Sequence, residues 1–160
     1  MLDNNVNKDA KFSKCRSYRY ALWRMWDESK PYALFIGLNP STADETEDDP
    51  TLRRCIDFAK SWEYGGVCMV NLFAYCATRP EDMKKAVDPI GPENDSWINQ
   101  LASNAGVVIA AWGNEGAFEG RPTQIREMLP NMKCLKMNKG GEPAHPLYQS
   151  KSAMPVSMSN

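Results

Sequence analysis

Three apolar runs constrain this chain more than any other feature: residues 33–36 (ALFI), 67–73 (VCMVNLF) and 107–112 (VVIAAW), each followed by a segment with helical spacing. A strand that alternates polar and apolar residues lies half exposed, whereas one that is apolar along its length is covered on both faces. Repeated strand-then-helix order therefore predicts an α/β domain, a three-layer sandwich around a central, mainly parallel sheet, with residues 133–137 supplying a fourth strand. At 160 residues, 42% hydrophobic and 24% charged, the chain suits one domain over 1–160.

The helices are marked by caps and periodicity. Asp49 and Pro50 open a helix predicted over 51–62, in which Leu52, Cys55, Ile56 and Ala59 share a face. Thr78 and Glu81 have capping-box spacing for a short helix, and 88–92 is a proline-rich connection. Ile98, Leu101, Ala102 and Ala105 mark a helix over 94–105, and a last one near 123–129 ends at Pro130. Residues 15–27 mix aromatics and arginines at near alternation, which predicts a half-exposed strand. The turn at 28–31 would fold it back, antiparallel, on the strand that begins at Tyr32, as an N-terminal edge. The same mixture also suits a nucleic-acid surface. Residues 1–14 read as a loose tail.

Several function classes fall away at this stage. The apolar runs are too short for a membrane span and the polar start lacks a hydrophobic signal segment, so a cytoplasmic location is expected. Five scattered cysteines without a close pair point to reduced thiols and to no metal. A net charge of −1 argues against a strong nonspecific grip on nucleic acid. No Walker loop, dinucleotide fingerprint or nucleophile elbow is present.

Parallel strands deliver their carboxyl ends to one rim, where open α/β sheets bind ligands. Asn39, Asn71, Trp112, Gly113 and His145 all follow strands and are expected to gather there. The stretch 32–51 (YALFIGLNPSTADETEDDPT) is the centre of this pattern, although Asn-Pro-Ser-Thr is also ordinary turn chemistry. His145 is the chain's one histidine, in a loop punctuated by glycine and proline. It suits either a structural or a site role.

The ordered set GLNPS, VNLFAY, AAWGNEG and AHPLYQS resembles the uracil-DNA glycosylase superfamily. More closely, WDESKPYALFIGLNPSTAD, DDPTLRRC and VNLFAYCATRPEDM resemble an uncharacterised bacterial and phage family within it, from about Arg19 to Tyr148. The resemblance implies that Asn39 orients the attacking water, as in the mismatch-specific branch. It implies that Asn71 reads the polar edge of an extruded base, and that neutral His145 donates to the base oxygen as negative charge develops. Gly37, Leu38, Pro40, Ser41, Thr42 and Tyr75 would complete the base pocket. Arg53, Arg54, Trp112, Gly113, Lys139, Pro146, Leu147 and Tyr148 would contact DNA, the last three at the minor groove.

Position 41 is a serine where the strict uracil enzymes carry a tyrosine that blocks the thymine methyl, so a larger 5-substituted pyrimidine is expected to fit. The late loop, HPLYQS, departs from the superfamily's proline-serine pattern, and the acidic run 44–49 adjoins the rim. That run reads as a solvated loop capping the next helix, or as a source of phosphate repulsion. The expected function is a DNA N-glycosylase-like hydrolase, acting as a monomer without cofactor or metal on DNA or a nucleotide with an extruded pyrimidine. A non-catalytic base-binding accessory module and an enzyme of free nucleosides or nucleotides are the alternatives.

Overall fold

Each apolar run becomes an inner strand of one mixed sheet in the computed structural model, which describes residues 6–158. In chain order the elements are β1 (Asn7–Phe12), β2 (Arg19–Met25), β3 (Tyr32–Gly37), α1 (Pro50–Ser61), β4 (Gly66–Asn71), α2 (Pro80–Lys84) and α3 (Asn94–Ser103). They continue with β5 (Val107–Ala110), a 3-10 segment (Asn114–Gly120), α4 (Arg121–Met128), β6 (Lys133–Cys134), a 3-10 turn (Pro146–Tyr148) and β7 (Val156–Ser157). The sheet has seven strands in the order β1-β2-β4-β3-β5-β6-β7. Its inner pairs β4–β3, β3–β5 and β5–β6 are parallel, and its outer pairs β1–β2, β2–β4 and β6–β7 antiparallel.

Alternate residues of β3 serve two cores. Leu34 and Ile36 pack with Val70, Met83, Ile98 and Ile125, under α2, α3 and α4. Ala33 and Phe35 pack with Leu52, Cys55, Phe58 and Met69, under α1. Helices cover both faces, which is why the inner strands carry no polar alternation. No helix among the described residues is long and apolar enough to cross a membrane.

The amino-terminal region departs from expectation in three ways. Residues 7–12 of the expected loose tail form β1, antiparallel to β2, with Ala10 opposite Leu22 and packed on the α1-side core; residues 1–5 lie outside the described set. Exposed lysines 8 and 11 on this outer strand discourage further pairing. β2 does not fold back on β3 as a hairpin; it pairs with β4, Leu22 opposite Met69. The chain reaches β3 by crossing the start of β4, where Trp26 and Asp27 N–H both donate to the Gly65 carbonyl (2.9 Å each) and Gly65 N–H donates to Pro31 (2.8 Å). A Cβ at Gly65 would stand 2.0 Å from the Asp27 carbonyl oxygen, so glycine is what lets the chain cross. With β1 outside it and β4 inside, β2 is buried along most of its length instead of half exposed.

Elsewhere the differences are smaller. α1 begins one residue early, capped by the Asp49 carboxylate, which accepts from Leu52 N–H at 2.8 Å. α2 starts after Arg79 without a side-chain cap, so the Thr78 and Glu81 capping box does not form. The fourth apolar strand is reduced to Lys133–Cys134, followed by an isolated bridge between Met137 and Pro143.

Candidate functional site

The carboxyl ends of β3, β4 and β5 open into a cleft of about 360 Å³. Gly37, Leu38, Asn39 and Ser41 enter it from β3, Asn71 from β4, and Ala111, Trp112 and Gly113 from β5. His145, Pro146 and Tyr148 close it from the late loop. The rim expected from parallel strand order thus brings together residues 106 positions apart, between Asn39 and His145.

Each polar side chain is held in one orientation by its neighbours. Asn71 is 4% exposed, and its Oδ1 accepts from Arg19 Nη2 at 3.3 Å. Its amide lies over Gly37, where a Cβ would meet Asn71 Nδ2 at 2.9 Å, and its backbone carbonyl accepts from Asn94 Nδ2 at 2.9 Å. Nδ2 is left as a donor without a partner among the described residues. Asn39 is fixed in the complementary sense: its Nδ2 donates to the carbonyls of Ala77 (2.8 Å) and Pro40 (3.1 Å), which leaves Oδ1 as the free acceptor.

His145 caps the short 3-10 turn that follows it, its Nδ1 accepting from Leu147 N–H at 3.2 Å. A nitrogen that accepts a backbone N–H carries a lone pair, so the neutral ring bears its proton on Nε2. Burial pushes the imidazole below its usual range, and the charge of Asp49 acts against that shift. Gly113 supports this corner with φ 74 and ψ −177, a conformation closed to side chains, and its N–H donates to Pro143 at 2.9 Å.

Two arginines of β2 hold the loop that leads from the cleft to α1. Arg24 is 1% exposed; its Nε donates to Asp48 (2.9 Å) and its Nη2 to the carbonyls of Asp44 (2.6 Å) and Glu47 (3.2 Å). Arg19 donates through Nη1 to the Ala43 carbonyl at 3.0 Å. Asp44 in turn accepts from Thr46 and Glu47 N–H (2.9 and 2.8 Å), and Glu45 pairs with Arg16. The acidic run is thus a loop organised by internal bonds and by cations of β2 and its approach, ending in the cap of α1.

Several expected site residues lie elsewhere. Pro40 is buried beneath the loop, its carbonyl taking Ala77 N–H, while Thr42 is exposed outside the cleft. Tyr75 packs edge-on against Tyr18 and does not line the cleft. Arg53 is exposed and lines a separate groove with Lys8, Asp57 and Lys60; Arg54 donates to the Gln149 carbonyl and so tethers the late loop. Lys139 is exposed on the turn 138–141 and Leu147 is half-buried, neither lining the cleft. Trp112 is 1% exposed, with its indole N–H on Glu142 at 2.7 Å, so it and buried Gly113 form the inner wall and no outward DNA-contacting surface.

Sequence reasoning missed Arg19, Asp49, Thr51, Thr78, Asn114 and Glu115, all of which line the cleft. Asp49 was recoverable, because a cap on the helix that follows a strand-end loop stands at the same rim. Arg19 was hidden by the apparent alternation of its strand. Among the described residues no three His, Cys, Asp or Glu side chains are grouped to hold a metal ion.

Residues 19–147 match the model of a family described as "Protein of unknown function (DUF1643)". No curated protein and no solved structure matches the chain.

Proposed function

We propose a function for this chain, which belongs to the DUF1643 family of proteins of unknown function: a DNA N-glycosylase-like hydrolase, of the uracil-DNA glycosylase type in fold, that acts on an extruded pyrimidine. The observation that carries the reading is the complementary set of free polar atoms in one cleft. Asn39 offers an acceptor, Asn71 a donor, and His145 an Nε2–H donor. A cleft of about 360 Å³ is within the range of small-molecule sites.

Hydrolysis of an N-glycosidic bond sends the bonding pair out with the base nitrogen while a water oxygen bonds to the sugar carbon and gives up a proton, which ends on the departed base or in solvent. Asn39 Oδ1 would accept from that water and orient it. An amide is no base, so turnover would be slow or need an acidic leaving group. Asn71 Nδ2 would donate to a ring carbonyl, and neutral His145 to the oxygen that gains charge as the bond breaks. Ser41 leaves room beside the ring for a 5-substituent. Tyr148, 82% exposed beside the cleft, is suited to fill the gap left in a duplex.

One observation favours a second reading, hydrolysis of free nucleosides or nucleotides. Arg53, Arg54 and Lys139, the cations expected to hold DNA phosphates, do not line the cleft, whereas the carboxyl side chains of Asp49 and Glu115 do. Single-turnover assays on oligonucleotides bearing uracil, thymine mismatches or 5-modified pyrimidines, beside free nucleosides, separate the two. Abasic-site formation that is lost in Asn39→Ala and His145→Ala supports the first. Cleavage of free nucleosides alone selects the second, and DNA binding without cleavage points to an accessory module.

A further inference from the structure

Three arginines of the described chain are buried: Arg19, Arg24 and Arg121, at 5%, 1% and 0% exposure. Two are neutralised in place. Arg24 pairs with Asp48 at 2.9 Å and Arg121 with Asp95 at 2.5 Å. Arg19 has no carboxylate within ion-pair distance among the described residues, and its Nε is a buried donor without an acceptor. Its bonds, to the Ala43 carbonyl and Asn71 Oδ1, are to neutral groups. Leaving a buried cation unpaired is expensive, and chains avoid it by pairing or by ligand binding. The arginine left unpaired is the one that lines the cleft.

We propose that Arg19 is a charge-recognition residue of the cleft, the buried cation that makes it select pyrimidines of high ring N–H acidity over less acidic ones. This rests on the base-pocket reading above. The guanidinium stands behind Asn71 and touches its Oδ1, so it strengthens the Nδ2 donor by polarising the amide and adds a full positive charge close to the ring. It makes the site selective for acidic heterocycles, whose ready departure compensates for the lack of a base at position 39.

The test is calorimetric titration of the full chain, at one mildly alkaline pH, with near-isosteric free bases of rising N–H acidity: uracil, 5-fluorouracil and 6-azauracil. Inorganic phosphate serves as the comparison anion. The expected result is affinity that rises along the series by about ten-fold or more, the worth of a charge-assisted hydrogen bond. In Arg19→Gln the three bases converge; in Arg19→Lys, which keeps the charge, a graded preference persists. Thermal unfolding establishes that each variant is folded, and the wild-type series alone decides if Arg19→Gln is not. Measurable but equal affinities, or a rise that survives in Arg19→Gln, overturn the role of Arg19 and leave the base pocket standing. Phosphate bound in place of every base overturns both.

Discussion

Placing a methyl group at position 37 tests how the cleft floor is held. A Cβ on Gly37 would lie 2.9 Å from Asn71 Nδ2, about 0.5 Å inside ordinary contact. The amide cannot swing away freely, because Asn71 is 4% exposed and its Oδ1 takes the Arg19 Nη2 bond at 3.3 Å. Hydrogen bonds to charged groups contribute about 1.5–3 kcal/mol, and this long one belongs at the lower end, ~1.5 kcal/mol. Glycine to alanine in an extended strand returns ~0.5 kcal/mol through the unfolded chain. Gly37→Ala should therefore destabilise by about 1 kcal/mol in the wild-type background. In an Asn71→Ala background, where nothing is left to collide with, it should stabilise by ~0.5 kcal/mol. Urea denaturation of the four proteins gives the coupling directly, with ~1.5 kcal/mol expected. Equal effects of Gly37→Ala in both backgrounds would refute the claim that glycine is there to seat the Asn71 amide.

Four further outcomes follow from the same geometry. His145 should titrate below its usual value in an NMR pH series and fall further in Asp49→Asn, which removes the opposing charge. Because the unfolded ring takes up its proton near pH ~6.5 and the folded ring only below that, the unfolded chain binds more protons in between. Stability should thus decline as pH drops through this window, and His145→Gln should flatten the decline. Cys15 is exposed and hydrogen bonds from Ser13 and then Ser17 lower it to about 7, whereas burial raises Cys68 to about 12. Iodoacetamide near neutral pH should label Cys15 first by mass spectrometry, and prior labelling of Cys68 in folded protein would contradict the packing. Gly116→Ala, whose Cβ would fall 2.0 Å from Trp112 Cδ1, should lower stability by about 1–3 kcal/mol and perturb the near-ultraviolet tryptophan signal. Arg24→Met should cost about 3–5 kcal/mol and loosen loop 43–48 to hydrogen exchange, since it strands Asp48 and two carbonyls.

Legibility followed periodicity and failed where long-range pairing decided. The inner strands could be placed because burial on both faces writes itself as an uninterrupted apolar run, and α1 because Asp49 and Pro50 announce it. Asn39, Asn71 and His145 could be put on one rim by strand direction alone. β2 was misread because Arg19 and Arg24, taken as the polar part of a half-exposed strand, are buried, the first at the cleft and the second on backbone carbonyls and a carboxylate. Its partner was misread because the crossing over Gly65 depends on a contact between residues 38 apart, Asp27 and Gly65, which no local pattern encodes. Arg53 and Arg54 looked equivalent as neighbours on one helix, yet adjacent helical positions face different directions, and they engage Asp48 and Gln149 respectively.

The charges of the cleft bear on which ligand it can take. Counted along the chain, the acidic run beside the rim looks hostile to a polyanion. In three dimensions Asp48 is neutralised by Arg24, Glu45 pairs with Arg16, and Asp44 is spent on its own turn, so the repulsion is smaller than the count suggests. The attraction is smaller still, since the cations near the rim are committed elsewhere: Arg54 to the late loop, Lys84 to Glu115 at 2.6 Å. Phosphate contacts dominate the affinity of proteins that grip nucleic acid through its backbone. With so few of them, the proposed recognition of a heterocycle would rest on the fixed amides of Asn39 and Asn71, the Nε2 proton of His145 and the unpaired charge of Arg19. On the proposed reading, an extruded or free base would be the recognised group, and any polynucleotide attached to it would contribute little beyond tethering.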